Sequence, residues 1–342
     1  MERRPMSEHI RRKYLLVDSL NTFFRASHVS NQRNSELEER VAYCVHVTLQ
    51  SINAMNRDHK ADHVVFLREG RSWRKDFYKP YKANREVAKQ ARTELEVIEG
   101  AAFFAAYDDL SEFLTTKTNV SVLQHPKLEA DDLIAGWIQC HPNDDHVIIS
   151  TDTDYYQLLA DNVSQYSGTS GELHTINGIY DYRGRLVVDK KTKVVKSIPH
   201  PNYILFEKCM RGDKTDNIFS AYPGVREKST KKSIGLLEAY ADKGNKGYAW
   251  NNLMLQKFMH HDGTEHRVLD DYQRNVILVD LSAQPDDIRE HIVSTVTNVT
   301  TKNVLMIGAH FLKFCGKYDL TKLSEQATTY AAILGAQYPG KE

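Results

Sequence analysis

Between Leu128 and Gln157 lie two tight groups of carboxylates beside apolar elements: Glu129, Asp131 and Asp132, then Asp152 and Asp154. Three more acids share their setting. Asp18 closes an apolar run, and Asp213 and Asp216 stand three apart in Gly212-Asp213-Lys-Thr-Asp216-Asn217. Carboxylates crowded together raise one another's pKa and repel unless a cation lies among them. Hard oxygen donors in such number suit Mg²⁺, with Mn²⁺ as a substitute. Two such ions roughly 4 Å apart can activate a water, neutralise a phosphate and steady a leaving oxygen. That chemistry is phosphodiester hydrolysis, and it needs no nucleophilic side chain. Each acidic group alone has a plainer reading. An acidic helix start is favoured by the backbone dipole, and Asp-Thr-Asp suits a solvated turn. Their recurrence in four segments is what points to a site.

The elements that must position these acids are legible. Tyr14–Val17, His63–Leu67, Val120–Leu123 and His146–Ile149 are short apolar runs of strand type. Asp18 and the Asp152/Asp154 pair stand just past two strand ends, where open α/β sheets bind ligands. Leu133, Ile134, Trp137 and Ile138 repeat at helical spacing, so Glu129, Asp131 and Asp132 open a helix. In one helical turn Asp213 and Asp216 would face the same way. A helix is expected to start near Phe23–Arg25, with others over 36–55 and 93–115. The alternation predicts an α/β fold with a mainly parallel sheet covered on both faces. Glycines at 168, 171, 178 and 184 mark hairpins and loops. From Pro201 helical patterns dominate, so the division falls at 1–200 and 201–342, and 301–337 reads as helical.

The 342 residues suffice for one large domain or two smaller ones. No apolar run approaches the roughly 18 residues that span a membrane. Met1–Lys13 is basic and polar, unlike a secretory signal. Cys44, Cys140, Cys209 and Cys315 are scattered, which disfavours a zinc site and fits free thiols in the cytoplasm. His260, His261 and His266 read as a solvated loop. Net charge is zero, yet Arg68–Arg92 holds nine basic residues against three acidic ones, and Lys228, Lys231 and Lys232 form a second basic stretch. Acidic site beside basic surfaces is the pattern of an enzyme that holds cations and polyanions. Tyr222-Pro223-Gly224 reads as a turn leading into a basic helix start, a ready anion site.

Five pieces in order carry a resemblance: Leu-Leu-Val-Asp18; Arg74 with Tyr81-Lys82-Ala-Asn-Arg85; Glu129-Ala-Asp131-Asp132; Thr151-Asp152-Thr-Asp154-Tyr-Tyr-Gln157; and Gly212-Asp213-Lys-Thr-Asp216-Asn217. From about Tyr14 to Lys232 the chain resembles the 5′-nuclease family. That family comprises flap endonucleases, 5′-exonuclease domains of bacterial DNA polymerase I, and phage 5′-exonucleases and RNase H enzymes, the phage branch being nearest. The resemblance implies a PIN-like fold with a helical arch (about 68–100) and a helix–three-turn–helix element (about 212–232). It implies that Asp18, Glu129, Asp131, Asp132, Asp152, Asp154, Asp213 and Asp216 bind two Mg²⁺ ions, directly or through water. It places Lys82 and Arg85 at the scissile phosphate. Arg74, Lys75, Gly224, Lys228, Lys231 and Lys232 are expected on nucleic acid.

Two departures from the family pattern stand out. Fifteen residues before Lys82, where relatives have Asp, stands Leu67, with Glu69 the nearest carboxylate. Where relatives have Gly-x-Gly, and many hold K⁺ on backbone carbonyls, stands Gly224-Val225-Arg226. Arg takes a left-handed backbone less cheaply than Gly, so K⁺ stays open.

The function implied is structure-specific 5′-3′ exonuclease and flap-endonuclease action, leaving 5′-phosphate and 3′-hydroxyl ends. Branched or nicked DNA, an RNA–DNA hybrid, and replication proteins such as a polymerase or a single-strand-binding protein are the expected partners of a monomer in the (host) cytoplasm. Two alternatives accompany it: a catalytically inactive junction-binding protein on the same scaffold, and a phosphatase using Asp152-Thr-Asp154 as a nucleophile motif. The second leaves Glu129–Asp132 and the basic segment without a role.

Overall fold

The short apolar runs form strands because their β-branched and aliphatic residues are buried on both faces. In the computed structural model, which describes residues 10–30, 36–260 and 263–340, five strands pair in parallel in the order β3-β2-β1-β4-β5. They are β1 (Lys13–Asp18), β2 (His63–Leu67), β3 (Ser121–Leu123), β4 (Asp145–Ile149) and β5 (Val163–Ser167). Two antiparallel strands, β6 (Glu172–Thr175) and β7 (Gly178–Tyr180), extend the edge beyond β5. The sheet is thus mainly parallel, as the alternation predicts.

Alternate side chains feed two cores. Leu15, Val17, Val64, Phe66, Val147 and Ile149 face one way. They pack under α1 (Ser19–Ser30), α2 (Leu37–His59), α5 (Glu94–Lys117), α12 (Ile307–Lys317), α13 (Thr321–Ser324) and α14 (Ala327–Gly335). Tyr14, Leu16, Val65, Leu67 and Ile148 face the other way, under α6 (Ala130–Cys140) and α11 (Asp286–Thr297). A third core joins α7 (Pro201–Arg211), α8 (Leu236–Asp242), α9 (Tyr248–Met254) and α10 (Val268–Val279). A small hairpin, β8 (Lys257–Met259) and β9 (Glu265–Arg267), precedes α10. Between β2 and α5 lie the one-turn α3 (Arg74–Phe77) and α4 (Ala83–Gln90), which buries no residue. Thr93 and Glu96 form the reciprocal cap that starts α5.

Three local expectations are corrected. The first helix begins at Ser19, not near Phe23, because Asp18 Oδ1 accepts the Asn21 N–H at 3.3 Å and lets the chain turn at once. Asp213 and Asp216 do not share a helical turn. α7 stops at Gly212, whose left-handed φ of 72° and contact with the Ile218 carbonyl leave no room for a side chain. Residues 213–218 instead fold into a tight turn closed by two Asp213–Ile218 backbone hydrogen bonds. The Pro223-Gly224 turn also fails to lead directly into a helix, since α8 begins only at Leu236. The Thr230 hydroxyl accepts from the Lys232 and Ser233 amides and the Ser229 hydroxyl from Gly235, which competes with helix. His261 lies outside the described residues.

Candidate active site

Asp18 ends β1 and is almost fully buried. Its Oδ2 accepts from the Ser150 hydroxyl at 2.8 Å and from Tyr155 at 3.1 Å. Burial outweighs these bonds and raises its pKa. Asp152 and Asp154 follow β4, as their position after the Val147–Ile149 run predicts. Asp152 caps the short 3₁₀ turn Thr153–Leu158 by accepting the Asp154 N–H at 2.9 Å.

The start of α6 brings in the second group. Glu129, Asp131 and Asp132 each offer a carboxylate oxygen within 4.8 Å of the others. Their environments differ sharply. Asp132 is wholly buried, and Arg74 holds both of its oxygens, at 3.0 and 2.8 Å. Trp73 Nε1 donates to it at 3.2 Å, and it closes the helix start by accepting the Glu129 N–H. Both Asp132 oxygens are thus engaged by protein donors, while the residue remains one of the three acids whose oxygens lie close enough to share an ion. Arg74, expected on nucleic acid, is instead buried. It is 1% exposed, donates to Asp132, Glu129 and the Leu278 carbonyl, and cannot reach a phosphate.

Glu129 remains at the centre. Oε2 accepts from Ser72 at 2.5 Å, from Tyr81 and from Arg74, while Oε1 meets the Lys82 ammonium. Burial would raise its pKa, but the Lys82 and Arg74 charges prevail and hold it at about 2. Asp131 has no such cation in contact among the described residues. Burial, with the Glu129 charge beside it, pushes it well above the usual carboxylate range.

The third group arrives on the 213–218 turn, which is locked to the base of α4. The Lys82 amide donates to the Asp216 carbonyl at 2.8 Å, and Asn217 Nδ2 donates to the Pro80 carbonyl at 2.7 Å. Asp216 meets Arg85 at 2.7 Å and Lys82 at 3.6 Å. The Tyr81 hydroxyl lies 3.0 Å from Glu129 and 3.1 Å from Asp216, linking the two segments. Lys208, on α7, pairs with Asp154 and, at 2.8 Å, with Asp213. Lys208 and Tyr81 escaped sequence reasoning as site residues. Lys208 lies 54 positions from Asp154, so no local pattern joins them.

Of the residues expected on nucleic acid, Lys228, Lys231 and Lys232 are exposed and make no ion pair among the described residues. Gly224 takes φ 77° in open space, whereas Arg226 is not left-handed, so the turn needs only one glycine. Lys75 pairs with Glu86 at 3.4 Å.

The donor set fits divalent cations. Asp18, Asp131, Asp152, Asp154, Glu129, Asp213 and Asp216 come from four segments, and among the described residues Lys82, Arg85, Lys208 and, at Glu129, Arg74 offset them in direct contact. Oxygen donors in such excess match hard ions. A family model described as the 5′-3′ exonuclease N-terminal resolvase-like domain matches residues 13–190.

The chain belongs to the 5′-3′ exonuclease family.

It is therefore a nuclease. This family member is 27% identical over 305 residues to the flap endonuclease of Escherichia phage T5, covering 87% of this chain and 93% of that one. It is 28% identical over 235 residues to ribonuclease H of Enterobacteria phage T4, covering 67% and 64%. Among solved structures it is similar to the phage T5 flap endonuclease in a pseudo-enzyme–product complex with DNA and metal ions. The TM-score is 0.57 at 22% identity, over 83% of this chain and 98% of that one. At that identity the likeness speaks for the fold. No helix among the described residues of this exonuclease is long and apolar enough to cross a membrane.

Proposed function

We propose that this chain is a divalent-metal-dependent, structure-specific 5′-3′ exonuclease and flap endonuclease that leaves 5′-phosphate and 3′-hydroxyl ends. One observation carries the reading: Glu129 and Asp216, from two distant segments, meet Lys82 and Arg85 at the start of the exposed α4, and Lys208 holds Asp154 to Asp213 on the same turn as Asp216. Asp18, Glu129, Asp131, Asp152, Asp154, Asp213 and Asp216 would hold two Mg²⁺ ions, or Mn²⁺. The bound ions would supply an activated water and charge neutralisation at the phosphate. The T5 relative crystallised with DNA and metal ions supports both ligands.

The chain's own residues do the rest. Lys82 and Arg85 sit where a phosphate over the acidic centre would meet them, and offset charge that builds there. Lys82 is held by Glu129 and Asp216, so its ammonium is strongly protonated and aimed. Tyr81 and Arg74 keep Glu129 in place. The lysines of residues 228–232 would grip the duplex backbone without reading bases, which selects structure rather than sequence. Residues 1–200 would form the nuclease domain with its arch, and 201–342 a helical region that grips the duplex. RNA primers on DNA, a K⁺ ion at the Gly224 turn, and a monomer working beside replication proteins belong to the same reading.

The test is a Mg²⁺ time course on a 5′ flap, a nicked duplex and an RNA–DNA hybrid, with product lengths resolved. Cleavage near the 5′ end of any of them, abolished by chelation, supports the reading. Binding without cleavage on all three would favour the inactive junction-binding alternative.

A further inference from the structure

Glu69 belongs to none of the roles assigned so far, yet its carboxylate is turned into the acidic centre. Its Oε2 accepts the Ala130 N–H at 3.1 Å, at the open end of α6. The charges of Asp18 and Glu129 are both close enough to act on it. The neighbouring side chain turns away, since Arg68 pairs with Asp108 at 2.5 Å and lies over the Tyr107 ring. The loop that carries Glu69 is rigidly held. Arg68, Gly70 and Arg71 amides donate to the Leu123, Leu128 and Pro126 carbonyls at 2.9, 2.8 and 2.9 Å. Gly70 approaches the His125 carbonyl so closely that an added Cβ would lie 2.0 Å from its oxygen.

Leu67 occupies the strand end itself. It pairs in register with Asp18 and packs, fully buried, among Leu16, Val65 and Leu128. The end of β2 is thus apolar, and the next carboxylate along the chain is Glu69, two residues on. A half-buried acid close to other carboxylates costs stability unless a cation shares the site. Lys82, the cation acting on it, is already in contact with Glu129 and Asp216.

We propose that Glu69 is a metal ligand of this centre, its second oxygen joining Asp18 and Glu129 around one divalent ion. The amide of Ala130 orients the carboxylate, as outer hydrogen bonds commonly orient ligating groups. This inference rests on the metal-centre reading above and assigns one further ligand to it.

The experiment is Mn²⁺ binding to the full chain, followed by electron paramagnetic resonance, for the native protein, Glu69→Gln and Asp154→Asn. Glutamine keeps the shape and can still accept the Ala130 N–H. Glu69→Gln is expected to weaken one Mn²⁺ site at least tenfold while leaving metal-free melting unchanged or higher. Loss of a merely structural cap would instead lower metal-free melting and leave Mn²⁺ affinity alone, and that result overturns the proposal. If the native protein and Asp154→Asn bind Mn²⁺ equally, the metal-centre reading falls. If Asp154→Asn weakens binding and Glu69→Gln does not, only the Glu69 assignment falls. Should Glu69→Gln prove too unstable to titrate, Glu69→Asp serves, with a smaller loss of affinity expected from the shortened reach and an unchanged titration overturning the proposal.

Discussion

Arg74 holds Asp132 through both terminal guanidinium nitrogens, and neither side chain is more than 1% exposed. The pair sits behind Glu129 and ties it to the helical region through the Leu278 carbonyl. Breaking a buried pair from one side leaves the other charge stranded, at a cost of about 3–5 kcal/mol. Arg74→Ala should therefore lower unfolding free energy by about that much in urea. Its effect on DNA affinity should show no change in salt slope, because no phosphate contact is lost. A flattened salt slope with native stability would return Arg74 to the nucleic-acid surface.

Lys82→Ala and the Lys231/Lys232 double alanine variant should separate chemistry from binding. Lys82 faces the acidic centre, so its loss should show in the single-turnover rate, by roughly 10²–10³-fold. The two turn lysines are exposed and unpaired among the described residues, and their loss should weaken affinity and reduce its salt dependence by up to about two counterions. Reversal of the two patterns would misplace Lys82.

Acid should destabilise the fold through His63 and His146. Burial lowers both to about 4 from an ordinary 6.5. The unfolded chain thus takes up protons below pH 6.5 while the folded chain does not. Their contribution is intact above pH 6.5 and is lost as pH falls towards 4, by up to about 2 kcal/mol per histidine between pH 6.5 and 5. His63 Nδ1 donates to the Ala336 carbonyl and Nε2 accepts from the Ser121 hydroxyl, so the C-terminal segment over the sheet should loosen with it. Urea unfolding at pH 7.5 and 5 checks the slope, and His146→Gln should flatten it.

Leu67→Asp places a carboxylate beside Asp18 on the same face of the sheet. With Glu69 already turned into the centre, the variant should gain little Mg²⁺ affinity and lose at least about 2 kcal/mol of metal-free stability. Isothermal titration with Mg²⁺ and urea unfolding measure the two effects. A large gain in affinity would mean that Glu69 does not reach the ion.

The strands and the acidic segments were legible because both leave local marks. His63–Leu67 is a β-branched run buried at every position, and Asp152 follows its strand by three residues. What was not legible depends on contacts between distant segments. The type of residue at 74 says phosphate, but the fold buries it against Asp132, 58 positions away. The same burial ties Asp132 to Arg74 and Trp73, which its place at the start of a helix did not reveal. Lys208 reaches Asp154 only because α7 packs beside the turn after β4. The three-residue spacing of Asp213 and Asp216 suggested helix, and the left-handed Gly212 overrode it.

The most direct test of the account is the single-turnover cleavage of a 5′-labelled flap by the native chain and by Asp154→Asn, both at saturating Mg²⁺, with binding measured in parallel in Ca²⁺. Asp154 is joined to Asp213 through Lys208. The account predicts flap cleavage by the native chain, loss of at least about 10³-fold in rate for the variant, and affinity within a few-fold of native. Cleavage by Asp154→Asn at the native rate, or by the native chain in the presence of chelator, would contradict it.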